Sequence, residues 1–145
     1  MGIGENTMGL DNDITLVTKH RLNLRNIPDY VKIEESNLDD DEKKFKGYHY
    51  EICYWRKCWN IRSMILDILD APQDGGYHII EKPSQIQEIL NNIQYYLEHL
   101  NEWDNSIWTA DEIMTTLAQD VVNLSWLKKY KKEHPNSIVY FTDSY

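Results

Sequence analysis

From Tyr48 to Leu69 the chain has neither Gly nor Pro, and Ala71-Pro72 follows at once. An uninterrupted run closed by a proline fits one long helix. On a helical wheel Ile52, Trp55, Trp59 and Leu66 share one arc, and Tyr54, Cys58, Ile61, Ile65 and Ile68 fall on the next. An apolar surface that wide places the predicted helix at the centre of the fold. Arg56, Asn60, Ser63 and Asp67 gather on the remaining side.

Two more helices are predicted from stripes and caps. Ser84 is placed to cap the second, with Gln87 as the reciprocal partner of a capping box. Ile86, Ile89, Leu90, Ile93, Leu97 and Leu100 form its apolar stripe. Thr109 and Glu112 repeat the device for the third, whose stripe is Ile113, Leu117, Val121 and Leu124, widened by Met114, Ala118 and Val122. Lys128, Lys129, Lys131 and Lys132 crowd its C-terminal end, where cations favour the helix dipole, and Pro135 stops it.

Ile14, Leu16 and Val17 suggest a strand near the start, and Ile138–Phe141 a strand at the end. Neither would be stable alone, so each needs a strand partner. Asp74-Gly75-Gly76 reads as a turn and Tyr77–Ile80 as extended. Residues 20–47, with the acidic runs Glu34-Glu35 and Asp39–Glu42, read as irregular, with a short helix near Asp40. The expected fold is therefore α+β and predominantly helical: a three-helix core with short N- and C-terminal strands that can pair. Residues 1–12 are expected to form a flexible extension and 13–145 the single domain.

The net charge of -9 argues against generic binding to a nucleic-acid backbone, which needs positive charge. It suits solubility, a basic protein partner, or mimicry of a nucleic-acid surface. Five Trp and ten Tyr stand against two Phe. Trp and Tyr carry a polar handle on an apolar body, which suits surfaces that make contacts and stay wet. No segment approaches the roughly 18 consecutive apolar residues of a membrane span, and no secretory signal is visible, so a cytoplasmic location is expected.

Catalytic signatures are missing. His20, His49, His78, His99 and His134 include no pair at metal-ligand spacing. There is no phosphate-binding glycine loop and no nucleophile elbow. Cys53 and Cys58, placed on the predicted helix, would lie about 140° apart around its axis, which disfavours a disulfide and leaves buried thiols. Asp104, Asp111 and Asp143 act together only if folding gathers them. No cofactor or metal is expected.

The candidate site centres on Arg62, which interrupts the apolar arc between Cys58, Trp59 and Leu66. A guanidinium there needs a partner. One reading is a salt bridge to an internal carboxylate, with Arg62 stacked on Trp59. The other is a pocket with Trp55 or Trp59 that holds an anionic nucleotide, phosphate on the fork and base on the ring. Arg56 and Asn60 flank this segment. Tyr77 beside Gly75-Gly76, and Trp108 before a helix N-terminus, complete the ligand-binding candidates.

Three segments carry a family likeness. Met8-Gly9-Leu10-Asp11, then Tyr54-Trp55-Arg56-Lys57 with Trp59-Asn60-Ile61-Arg62, and the ending Val139–Tyr145 resemble a group of small bacteriophage and prophage proteins. The resemblance brings no catalytic residues. It implies a phage-encoded protein in a bacterial cytoplasm, a setting in which accessory proteins oppose host defence. Beside a structural or replication-associated phage accessory, three functions follow as expectations. The first is a non-enzymatic inhibitor that binds a host defence protein, such as a CRISPR effector. The others are a sponge for a nucleotide signal and an enzyme degrading nucleotides or RNA. The wide apolar face would also serve a homodimer.

Overall fold

The computed structural model describes residues 10–34, 45–73, 75–102 and 108–144. Five strands form one antiparallel sheet: β1 (Asp11–Thr18), β2 (Lys32–Glu34), β3 (Tyr48–Arg56), β4 (Gly76–Ile79) and β5 (Ile138–Ser144), in the order β2-β3-β1-β5-β4. Among the described residues three α-helices accompany it: α1 (Trp59–Leu69), α2 (Pro83–Glu98) and α3 (Ala110–Glu133). The expectation of a predominantly helical fold is thus corrected. The two terminal strands do pair, β1 with β5, but within a five-stranded sheet rather than as an isolated pair beside the helices. Leu10 is already buried and β1 begins at Asp11. Residues 1–9, and the helix expected near Asp40, lie outside the described residues.

The second correction concerns Tyr48–Leu69. Its first half is strand β3 and only its second half is helix. Residues 48–56 hold three Tyr, one Trp and one Ile, side chains that fit a pleated, half-buried surface. A β-bulge hides the period-2 signal. Ile14 faces Cys53 while Thr15 faces Glu51, so Ile52 is the extra residue. Before the bulge Tyr50 points into the core; after it Cys53 and Trp55 do, and Ile52 is buried as well. Shifting phase mid-strand leaves an apolar pattern that imitates helical spacing. The change to helix takes two residues: Lys57 adopts a left-handed φ of 56° and its N–H donates to the Leu10 carbonyl at 2.5 Å. Cys58 then stands at the N-cap of α1.

The other helices start close to where their signals lie. Thr109 accepts from the Glu112 N–H (3.1 Å) and Glu112 from the Thr109 N–H (3.2 Å), a complete capping box on α3. For α2 the cap shifts. Pro83 occupies the first turn and the Gln85 side chain accepts from the Lys82 and Glu81 N–H groups, so the box expected from Ser84 and Gln87 does not form. Gln87 accepts instead from Lys128 of α3 at 2.6 Å. Beyond α3, the Lys131 ammonium donates to the Pro135 and Ser137 carbonyls and ties the helix end to β5.

The core lies between the helices and one face of the sheet. Ile14, Leu16, Val139 and Phe141 from the strands join Ile61, Ile65, Ile86, Ile89, Ile93, Leu117, Leu124 and Leu127 from the helices. The opposite face carries Thr15, His49, Glu51, Tyr140 and Thr142, with Phe45 packed against Tyr140 and Tyr77.

Candidate functional site: a cleft between β3 and α3

Arg62 is committed inside the fold. Its Nε donates to Asp143 Oδ2 at 2.6 Å, both side chains being almost wholly withdrawn from water. The other Asp143 oxygen lies 2.9 Å from His78 Nε2, and the guanidinium also reaches Gln73 Oε1 at 3.5 Å. The Arg62 carbon stands 5.6 Å from the Trp59 ring. This is the internal ion pair with a stacked tryptophan. The anion pocket around Arg62 loses its geometric basis.

The remaining candidates scatter. Trp55 is fully buried on β3, whereas Trp59 is 51% exposed on α1. Asn60 opens onto a shallow hollow with Ser63, Asp67 and Tyr96. Tyr77 points to the helix-free face of the sheet, one residue from His78, which points inward. Arg56 meets Trp108 through its backbone: the indole Nε1 donates to the Arg56 carbonyl at 3.1 Å. Cys53 and Cys58 are both buried thiols, now on a strand and at a helix cap.

A different place gathers the chemistry. Strand β2 pairs only with His49–Glu51, so the rest of β3 has no strand on that side among the described residues. Side chains take over there. Asn123 of α3 donates its Nδ2 to the Ile52 carbonyl at 2.8 Å, and Trp108 takes the Arg56 carbonyl. Between these two plugs, at Tyr54, lies a cleft of about 210 Å³. Its mouth carries Tyr30, 51% exposed, and Tyr54, 39% exposed, with Trp108 half-buried beside them. Lys32 and Glu51 meet at the rim, 3.9 Å apart.

Asp120 and Cys53 line the floor. The Asp120 carboxylate accepts from Trp55 Nε1 at 2.7 Å and from the Cys53 thiol. No cation pairs with it among the described residues. Burial therefore pushes its pKa from 3.8 up to about 7, and the hydrogen bonds from Trp55 and Cys53 recover only part of the loss. The Cys53 thiol is pushed well above its ordinary value by burial first and the Asp120 charge second. It stays a protonated donor, not a nucleophile. Tyr54 is pushed up to about 12 by burial and by its 2.6 Å hydrogen bond to Asp11. Asn123 Oδ1 is buried with no partner among the described residues.

Sequence reasoning missed Asp120 and Asn123, although a signal existed. Asp120 lies three residues after Leu117 and four before Leu124, on the apolar stripe itself. The buried face of α3 is Ile113, Leu117, Asp120, Asn123, Leu124 and Leu127. Val121 is only half-buried and Val122 is exposed. Two polar residues at stripe positions mark a built polar site as plainly as Arg62 marks its ion pair.

Comparison of the chain with protein-family models, curated proteins and solved structures finds no match. Among the described residues no group of His, Cys, Asp and Glu is arranged to hold a metal ion, and no helix is long and apolar enough to cross a membrane.

Proposed function

We propose that this chain is a non-enzymatic binding protein that docks a basic macromolecular partner on the β3–α3 cleft. The carrying observation is the cleft itself: exposed Tyr30 and Tyr54 with Trp108 around a small depression floored by a buried carboxylate. Tyr and Trp around a desolvated pocket are the composition of binding hot spots. The net charge of -9 favours a basic partner. The protonated Cys53 thiol beside Asp120 argues for recognition over turnover. The resemblance to phage proteins supplies the class of partner, a bacterial defence protein that the chain inhibits in the host cytoplasm.

Nucleotide capture at Arg62 is the weaker reading, because Asp143 already neutralises that guanidinium. The test is capture from bacterial lysate with the wild type, a Tyr30→Ala/Tyr54→Ala double variant, and Met114→Ala as a control on an exposed apolar residue of α3. A partner held by the wild type and Met114→Ala but lost by the double variant is expected. A double variant that captures everything the wild type does would overturn the proposal, as would capture of nothing by either.

A further inference from the structure

The proposed partner surface has a chemistry that the cleft specifies. We infer that the β3–α3 cleft is a receptor for one guanidinium group, an arginine side chain of the partner, with Asp120 and Asn123 as its acceptors and Trp108 as its aromatic wall. This rests on the binding reading above and narrows it to a ligand class.

Unused hydrogen-bonding capacity is the first argument. Asn123 is 3% exposed; its Nδ2 is spent on the Ile52 carbonyl, and its Oδ1 is buried with no partner among the described residues. A buried acceptor left unmade is costly, so an occupant that donates there gains what water cannot supply. Asp120, 4% exposed, is the other acceptor. The two residues stand three apart on α3, which places them on one face of the helix. Both want donors, so a phosphate or carboxylate is the wrong occupant.

Shape and charge narrow the choice. Drug-sized ligands occupy roughly 300–1,000 Å³, whereas this cleft holds about 210 Å³. One side chain fits. A flat fork with donors on two edges serves two separate acceptors better than a point ammonium does, and it stacks on aromatic faces such as Trp108. Lys32, the cation among the residues lining the cleft, has its side chain 77% exposed, opposite Glu51.

Binding then has a pH signature. The charged or titratable groups around Asp120 are Cys53, Glu51 and Tyr54 on β3, Lys32 on β2 and Tyr30 beside it. Burial brings the Asp120 carboxyl near neutrality, to about 7, while it pushes Cys53 and Tyr54 further from it. A guanidinium prefers the ionised carboxylate. If only that form binds, the apparent affinity at pH 6 is about tenfold below its value well above pH 7.

The experiment titrates the intact protein with N-acetyl-arginine amide and with its neutral isostere, N-acetyl-citrulline amide. The readouts are the NMR signals of the Asn123 side-chain amide and the Trp108 indole. The arginine compound is expected to move both signals at millimolar concentration, with citrulline at least tenfold weaker. That preference should fade toward pH 6 and vanish in Asp120→Asn. Equal binding of the two compounds, or no shift from arginine at pH 8, overturns the inference without needing any variant to fold. If arginine fails while Tyr30→Ala/Tyr54→Ala still loses the captured partner, the docking surface stands and only the guanidinium assignment falls.

Discussion

Asp143 and Asp120 are both carboxylates taken out of water, and they are held in opposite ways. Asp143, at the end of β5, has a guanidinium on one oxygen and an imidazole on the other. Asp120, in the middle of α3, has an indole N–H and a thiol. The first cluster carries its own counter-charge and no cavity opens on Arg62 or Asp143 among those lining the clefts described above. The second has no counter-charge among the described residues and lines an open cleft. The Asp143 charge is compensated within the fold, and the Asp120 charge is the one that the proposed partner would compensate.

The largest expected effect lies on the Asp143 side. Arg62→Ala leaves that carboxylate buried without its cation, which should cost about 3–5 kcal/mol of stability in chemical denaturation. A loss below about 1 kcal/mol, the range of a surface pair, would erase the distinction between the two sites.

Asp120→Asn should act with the opposite sign above neutrality. In the folded chain this carboxyl titrates near 7, against 3.8 ordinarily. The unfolded chain therefore releases the proton first as pH rises. The stability carried by protonated Asp120 is present in full below about pH 4 and gone above about pH 7. The difference is on the order of 4 kcal/mol. Unfolding free energies measured from pH 4 to 8 should fall in the wild type and stay flatter in Asp120→Asn. Parallel curves would contradict the assignment.

The smallest effect separates the two partners of Asp143. His78→Phe removes one hydrogen bond but leaves Arg62 in place, so about 1 kcal/mol is expected. A loss as large as that of Arg62→Ala would make the imidazole the principal counter-charge.

Local signals were legible where they act within a few residues. The Thr109–Glu112 box and the stripe of α2 depend on spacing alone, and both stand in the structure. Arg62 was legible as an anomaly because a charge on an apolar arc demands a partner, although Asp143, 81 residues away, could not be named. The strand Tyr48–Arg56 was misread for a physical reason. The bulge at Ile52 inverts the inward phase, and the decisive contacts are to β1, far back in the chain. The cleft was hidden for the same reason: Tyr30, Tyr54, Trp108 and Asp120 come from separate segments that only the sheet and α3 bring together. Asp120 itself was readable on its stripe, and attention to polar residues at apolar positions would have found it.

The central claim is that Asp120 is a buried carboxylate with no cation beside it among the described residues. A carbon-detected NMR titration of its side-chain carboxyl in the ligand-free protein tests this most directly. The account predicts a midpoint about 7. A midpoint in the ordinary carboxylate range near 4 would mean that the site is already neutralised or wet, and would contradict it.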